Sequence, residues 1–359
     1  PPQQATVMDN YKLIIEDMDK AIAYLPNFES YDADNRGRAH QAAAVAFKAK
    51  TYAYWATWDA TQWNNVIEMV NQLENNYNRD LAPTFAELFS SDLKDYWNAE
   101  YLWTIPSIGG ALPGGTEFPG IILENKGWGK YNGWGQMKPS YDIYEEMAKD
   151  GKGNDRLVRS ILEYNQEFPF FGETRKFWST SDLEAGFMIN KYMDAFKYSD
   201  PVGEGAVSAN GDWPTVRVNF PIIRFAEMLL FQADKATADI NRIRLRSNLV
   251  PLAGTATMKD LYHERRCELA FEFTDHLFDL KRWNRSSNAD IKTLADKELN
   301  AHPRIRRYED RANPESAFTI IGYEDYTNKN AYQAHMMVFP YPSEEITKSN
   351  GQLKQNEGY

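Results

Sequence analysis

Five alanines recur at three- and four-residue spacing between positions 41 and 58: Ala42, Ala46, Ala49, Ala53 and Ala56. A helix turns once in about 3.6 residues, so all five fall on one face. A face of methyl groups lets a second helix approach closely. The other side carries Phe47, Tyr54, Trp55 and Trp58. Val7, Tyr11, Ile14, Met18, Ala21 and Leu25 make an apolar stripe on a preceding helix, ended by Pro26, which has no amide proton to donate. Asp59 is placed to cap a third helix with Trp63, Val66, Val70 and Leu73 inward. Trp55, Trp58 and Trp63 sit in periodic helices and are read as core.

Helix pairs with small contact residues predict tetratricopeptide-like packing, although no strict repeat period fits the chain. Segments 9–25, 41–58 and 61–73 supply one group of helices, and 223–233 with 236–247 another. A long helix is predicted over 261–283, with Ala270, Phe273, Leu277 and Leu280 on one side. The expected fold is therefore mostly α with little β: a single domain over 1–359, its helical scaffold at 5–100, 140–165 and 220–300. Two loop-rich insertions, 101–139 and 166–219, interrupt it, and 301–359 is again loop-rich. Glycine and proline crowd 104–140, which shows neither helical nor strand periodicity; long ordered loops of this kind are usually functional.

Composition narrows the function. At 359 residues, 43% hydrophobic and 25% charged, the chain is an ordinary globular one. Its formal net charge of −11 argues against nucleic acid, which demands clustered Lys and Arg, and against anionic lipid surfaces. A neutral ligand such as a sugar is indifferent to that field. The single cysteine, Cys267, excludes an intrachain disulfide and a multi-cysteine zinc site. No run approaches the roughly 18 apolar residues of a spanning helix. With no phosphate loop and no nucleophile triad, no cofactor is expected.

Three motifs carry a resemblance. The first is Ile223-Arg224-Phe225-Ala226-Glu227-Met228-Leu229-Leu230. The second is Glu264-Arg265-Arg266-Cys267-Glu268-Leu269-Ala270-Phe271-Glu272, with Asp279-Leu280-Lys281-Arg282-Trp283 after it. The third is Pro340-Tyr341-Pro342 with Glu345-Ile346, then Gln355-Asn356-Glu357-Gly358-Tyr359. In this order they resemble the SusD/RagB family of outer-membrane glycan-capture lipoproteins, and Gly37-Arg38 and Asp155-Arg156-Leu157 also fit. The resemblance implies a non-catalytic, lipid-anchored surface protein that binds glycan and delivers it to a SusC-like TonB-dependent transporter. Two departures stand out. The family's lipidated cysteine and first helices are not in this sequence, so any membrane attachment lies in an N-terminal anchor outside it. Asp234-Lys235 also joins two helices more abruptly than the family does.

A sugar ring offers a face of C–H bonds that stacks on an indole or phenol, and amide side chains bridge its hydroxyls. Trp128, Tyr131 and Trp134 stand between glycines, with Asn125 and Asn132 nearby. Glycines cannot bury these rings locally, so they are either docked against the helices or displayed to a ligand. Trp178 and Trp213, in the second insertion, are further ligand candidates. Glu264, Glu268 and Glu272 lie four residues apart on one helix face and are read as an ion-pair network tying helices together rather than a hydrolytic pair. His263 and Cys267, one turn apart, are read as neighbours and not metal ligands. The alternatives are a helical glycoside hydrolase using Glu117 and Glu124, and a tetratricopeptide-type scaffold for peptides.

Overall fold

The computed structural model describes residues 4–89, 97–108, 137–163, 166–170, 173–176, 186–192, 217–231, 236–272, 276–301, 303–308, 318–321 and 331–359. The alanine helix is α2 (Gln41–Trp55), which packs against α1 (Val7–Tyr24) on one side and α3 (Trp63–Tyr77) on the other. Ala42, Ala46, Ala49 and Ala53 are fully buried, as the close approach of three helices requires. Thr6 and Asp9 form a capping box that starts α1, and the chain leaves the helix at Leu25, just before Pro26. Asp59 accepts from the Thr61 amide (3.1 Å) to start a 3₁₀ turn, Ala60–Gln62, that runs directly into α3. On α3, Val66, Val70 and Leu73 face inward, and Asn78 ends the helix in the left-handed region, φ 50°.

Two expectations for this layer change. No residue of α1 is buried, and Val7 and Ile14 are each 40% exposed, because α1 is the outer helix and leans chiefly on α2. Trp58 is not core. α2 stops at Trp55, three residues before the helical period would turn Trp58 inward, and the Arg285 guanidinium covers its ring at 4.0 Å. Trp55 and Trp63 are half-buried, Trp55 stacked on Tyr11 and Trp63 packed against the core.

The remaining α-helices among the described residues are α4 (Tyr141–Ala148), α5 (Asp155–Ser160), α6 (Phe225–Phe231), α7 (Ala236–Arg246), α8 (Met258–Glu268), α9 (His276–Asn284), α10 (Ala289–Asn300) and α11 (Ser343–Lys348). Every residue of α6 is buried. Its seven residues are too few to hold a helix in water, so tertiary packing supplies the stability. Phe225, Met228, Leu229, Leu230 and Phe231 each contribute about 1.5–3 kcal/mol by leaving water.

The described strands form four two-stranded antiparallel ladders: β1 (Tyr101–Ile108) with β6 (Arg217–Arg224), β2 (Ile161–Glu163) with β5 (Phe187–Ile189), β3 (Glu167–Phe170) with β4 (Glu173–Lys176), and β7 (Ile305–Tyr308) with β8 (Phe318–Ile321). Part of the stretch that lacked periodicity is therefore a strand. Pro106 hides it in the sequence; its ring is the surface against which Gly37 packs, and a Cβ at Gly37 would lie 2.7 Å from Pro106 Cγ. Pairing with β1 also moves the start of the 223–233 helix to Phe225, because Ile223 and Arg224 belong to the ladder.

The long helix over 261–283 is two helices. α8 ends at Glu268, and Phe271 stands at φ 66°, where a helix cannot continue. The break spoils the expected stripe: Leu280 is buried, Ala270 is half-buried and Leu277 is 48% exposed. Phe273 and the Asp234-Lys235 junction lie outside the described residues. No helix among the described residues is long and apolar enough to cross a membrane.

Candidate functional site

Glu264 and Glu268 lie one turn apart on α8, and Glu272 follows in the turn after it. A capping box, Thr257 with Asp260, starts the helix. All three carboxylates are enclosed. Glu264 accepts from Arg156 and from Arg244 (2.9 Å). Glu268 pairs with Arg224 (3.1 Å), Arg246 and Arg156 (3.5 Å), and Glu272 with Arg224 and Lys191, both at 2.7 Å. Glu100 completes the set against Arg224 and Arg246 (2.6 Å), and Asp150 against Arg156 (3.1 Å) and Arg244 (2.8 Å). Arg156, Lys191, Arg224, Arg244 and Arg246 thus balance Glu100, Asp150, Glu264, Glu268 and Glu272, and no side chain among them is more than 9% exposed. Burial pushes the Glu268 carboxyl up, but Arg246, Arg224, Arg156 and Lys191 around it overcome that and hold it at about 2.

The resemblance-bearing motifs interlock through these charges. Arg265 reaches the other way from Glu264, to Glu227 of α6 (3.2 Å) and to Asp279 of α9, while Arg266 pairs with Glu298 of α10. Arg282 closes on Asp279 at 2.8 Å. Successive residues of one helix turn therefore hold different neighbours, which accounts for so many charges in an apolar setting. The network reading of the glutamates holds. A sugar has no route to carboxylates enclosed on every side, so they are not a hydrolytic pair.

His263 is clamped between Glu146 (2.7 Å) and Asp150 (3.0 Å), with Cys267 Sγ 3.8 Å from its Nδ1. Burial pulls its pKa down, but hydrogen bonds to Asp150, Cys267 and Glu146 raise it to about 12, so it is an imidazolium in this ion-pair frame. No group of metal-ligating side chains occurs among the described residues. A cleft of about 940 Å³ between α4, α8 and α10 is lined by Asp142, Glu146, His263, Glu298 and Arg304, among others. Its charges largely pair with one another, Arg304 with Asp142 (2.7 Å) and His276 with Glu298 (2.9 Å).

The ion-pair frame also fixes the roots of the insertions. Residue 109 follows β1 and residue 216 precedes β6, and the strand ends they join, Ile108 and Arg217, are register partners. At the other end of the same ladder, Glu100 and Arg224 form an enclosed pair. Thr104 and Asn219 bridge the strands through their side chains, and Trp103 donates to the Gly37 carbonyl (3.3 Å). The ladder thus brings the base of the 109–136 stretch beside that of the 193–216 stretch. Asn125, Trp128, Tyr131, Asn132, Trp134, Trp178 and Trp213 lie outside the described residues, as do Glu117 and Glu124. Sequence reasoning missed Glu100, Lys191 and Arg246. Each has an apolar neighbour in the chain, and Lys191 lies two residues beyond the run Phe187-Met188-Ile189, the one available signal that it is buried.

Residues 143–359 match the model of the SusD family, which covers both interlocking motifs and the C-terminal segment. The chain belongs to the SusD family. Solved structures agree with that fold. A SusD-like protein from Bacteroides fragilis superposes with a TM-score of 0.72 at 20% identity, over 99% of this chain and 72% of that one. Surface glycan-binding protein A from Bacteroides uniformis gives 0.66 at 22% identity, over 98% and 69%. A structure solved with xylogluco-oligosaccharide gives 0.69 at 17% identity, over 99% and 74%. No curated protein sequence matches the chain. SusD family members are non-catalytic glycan-binding proteins, and this chain shares their mostly helical, tetratricopeptide-type architecture.

Proposed function

We propose that this SusD family chain is a cell-surface glycan-binding subunit that holds oligosaccharide without cleaving it. In this reading the whole chain acts as one domain, and the sugar stacks on Trp128, Tyr131 and Trp134 with Asn125 and Asn132 bridging hydroxyls. Trp178 and Trp213 extend the surface. The protein is lipid-anchored at the outer membrane, and the captured glycan passes to a SusC-like TonB-dependent transporter. The observation that carries the reading is the pairing of Ile108 with Arg217, which sets the base of the Trp128–Trp134 stretch next to that of the Trp213 stretch. The carboxylates of the helical frame are spent on internal ion pairs. Relatives of the same fold include surface glycan-binding proteins and one solved with xylogluco-oligosaccharide. A few stacked rings against hydrated hydroxyls give modest affinity once ordering costs are met.

The test is native affinity electrophoresis in gels cast with a panel of neutral polysaccharides, with the same mixtures assayed for new reducing ends. Retardation by at least one polysaccharide, without reducing ends, is expected. Turnover abolished by Glu124→Gln would replace this reading with a hydrolase. No retardation by any polysaccharide would leave a peptide-binding scaffold in its place.

A further inference from the structure

One face of α9 carries exposed rings and cations that no acid matches. Phe278 and Lys281 lie one turn apart on the helix, and Arg285 follows just past its end. Two other segments meet this face. Tyr54 of α2 sets its ring edge-on to Phe278 at 6.4 Å, and Trp58 follows that helix. Phe339, from the C-terminal segment, is 59% exposed and stands edge-on to Phe278 at 6.0 Å. Phe278 and Trp58 are exposed as well. Each cation lies on a ring: the Arg285 guanidinium 4.0 Å from Trp58, and Lys281 Nζ 4.0 Å from the centroid of Phe339 and 5.7 Å from that of Phe278. Lys281 is only 5% exposed. Among the described residues, neither it nor Arg285 has a carboxylate within ion-pair distance or a side-chain hydrogen bond. In a chain with 51 acidic residues against 40 basic, that stands apart, for buried Arg156, Lys191, Arg224 and Arg265 are all matched to carboxylates.

An aromatic face attracts a cation but takes none of an ammonium's three hydrogens in an ordinary hydrogen bond. Covering Lys281 in this way therefore costs stability that a methionine of similar length would not. No acceptor among the described residues satisfies the ammonium; a bound carboxylate would. The ligand that fits presents a carboxylate beside an apolar face, so that the charge meets Lys281 and Arg285 while its C–H bonds lie against Phe339 and Phe278. A uronic acid residue of a polysaccharide has both. We infer that this face of α9 is a second glycan site, selective for uronic acid residues. The inference rests on the proposed glycan-binding reading and names a substrate class for it. The net charge of −11 does not oppose such a ligand, because physiological salt screens charges further away than about 8 Å.

The test titrates wild type with three uronic acid polymers, polygalacturonate, alginate and hyaluronan, and with each after reduction of its carboxyls to alcohols, in low and high salt. At least one polymer is expected to bind about tenfold tighter than its reduced form, a preference that high salt removes. Lys281→Met and Arg285→Gln should each weaken binding of that polymer about fivefold, and leave unchanged the binding of a neutral polysaccharide that wild type retains. The melting temperature of Lys281→Met should equal or exceed that of wild type, which a merely structural lysine would not allow. Should Lys281→Met fail to fold, Arg285→Gln, at an exposed position, decides alone. The Trp128→Ala, Trp134→Ala double variant should keep its uronic acid binding. No preference for any carboxylated polymer, or a preference that survives in both cation variants, overturns the site. Retention of a neutral polysaccharide with no uronic acid polymer bound refutes this inference alone; retention of neither kind refutes the glycan reading with it.

Discussion

Replacing Glu268 by glutamine removes one negative charge and little volume from the middle of the ion-pair frame. Arg224, Arg246 and Arg156 then face one another across a neutral amide, buried away from bulk solvent. The shift of the carboxyl from 4.5 to about 2 means that the folded protein prefers the ionised form. At about 1.4 kcal/mol per unit this preference is worth about 3 kcal/mol. Breaking a buried ion pair by deleting one member typically costs about 3–5 kcal/mol, which agrees. Urea denaturation at pH 7, followed by tryptophan fluorescence, should therefore show Glu268→Gln less stable by about 3 kcal/mol with an unchanged slope. Glu16→Gln, which touches only the solvated pair with Lys20, should leave the midpoint in place. The sign with pH follows. A carboxyl with a lowered folded pKa contributes stability that is complete above 4.5 and lost as pH falls toward 2, so the gap between wild type and Glu268→Gln should close over that range. A loss below 1 kcal/mol at pH 7, or a gap that does not close in acid, would refute the claim that these charges hold the frame.

Gly37→Ala sets a Cβ 2.7 Å from Pro106 Cγ, and a proline ring cannot swing aside, so a loss of about 1–3 kcal/mol is expected in thermal or urea unfolding. His40 caps α2, accepting from the Ala43 amide (3.3 Å); burial, then the Arg79 charge, lower its pKa to about 4 against a raising hydrogen bond to the Leu102 carbonyl. Between pH 6.5 and 4 the unfolded chain binds a proton that the folded one refuses, so His40 takes away about 3 kcal/mol as pH falls through that window. His40→Asn, which caps without titrating, should flatten the stability profile there.

The sequence disclosed a local period best where the helix carrying it runs unbroken through the core. The Ala42–Ala56 face and the Val66, Val70, Leu73 stripe landed where spacing put them, and three glutamates four apart foretold a network because like charges so placed require partners. Breaks in a period were illegible. Nothing around Phe271 reads as a turn, since no glycine marks its left-handed conformation; Lys191 and Tyr192 hold it from 79 residues away in the chain. Pro106 concealed β1 for a related reason: its pairing is set by a strand more than a hundred residues on. Charge burial was equally hidden, because Arg156 and Arg224 look like solvated residues until Glu264, Glu268 and Glu272 are folded against them. The proposed sugar-binding rings stand on glycine-rich chain whose composition names the chemistry without fixing its geometry.

Titration calorimetry of wild type and a Trp128→Ala, Trp134→Ala double variant, with the polysaccharide that wild type retains, bears most directly on the proposed capture of glycan by aromatic stacking. Saturable heat from wild type, reduced at least tenfold in affinity in a double variant of unchanged stability, is the result this account predicts. Equal affinity in both proteins would contradict it.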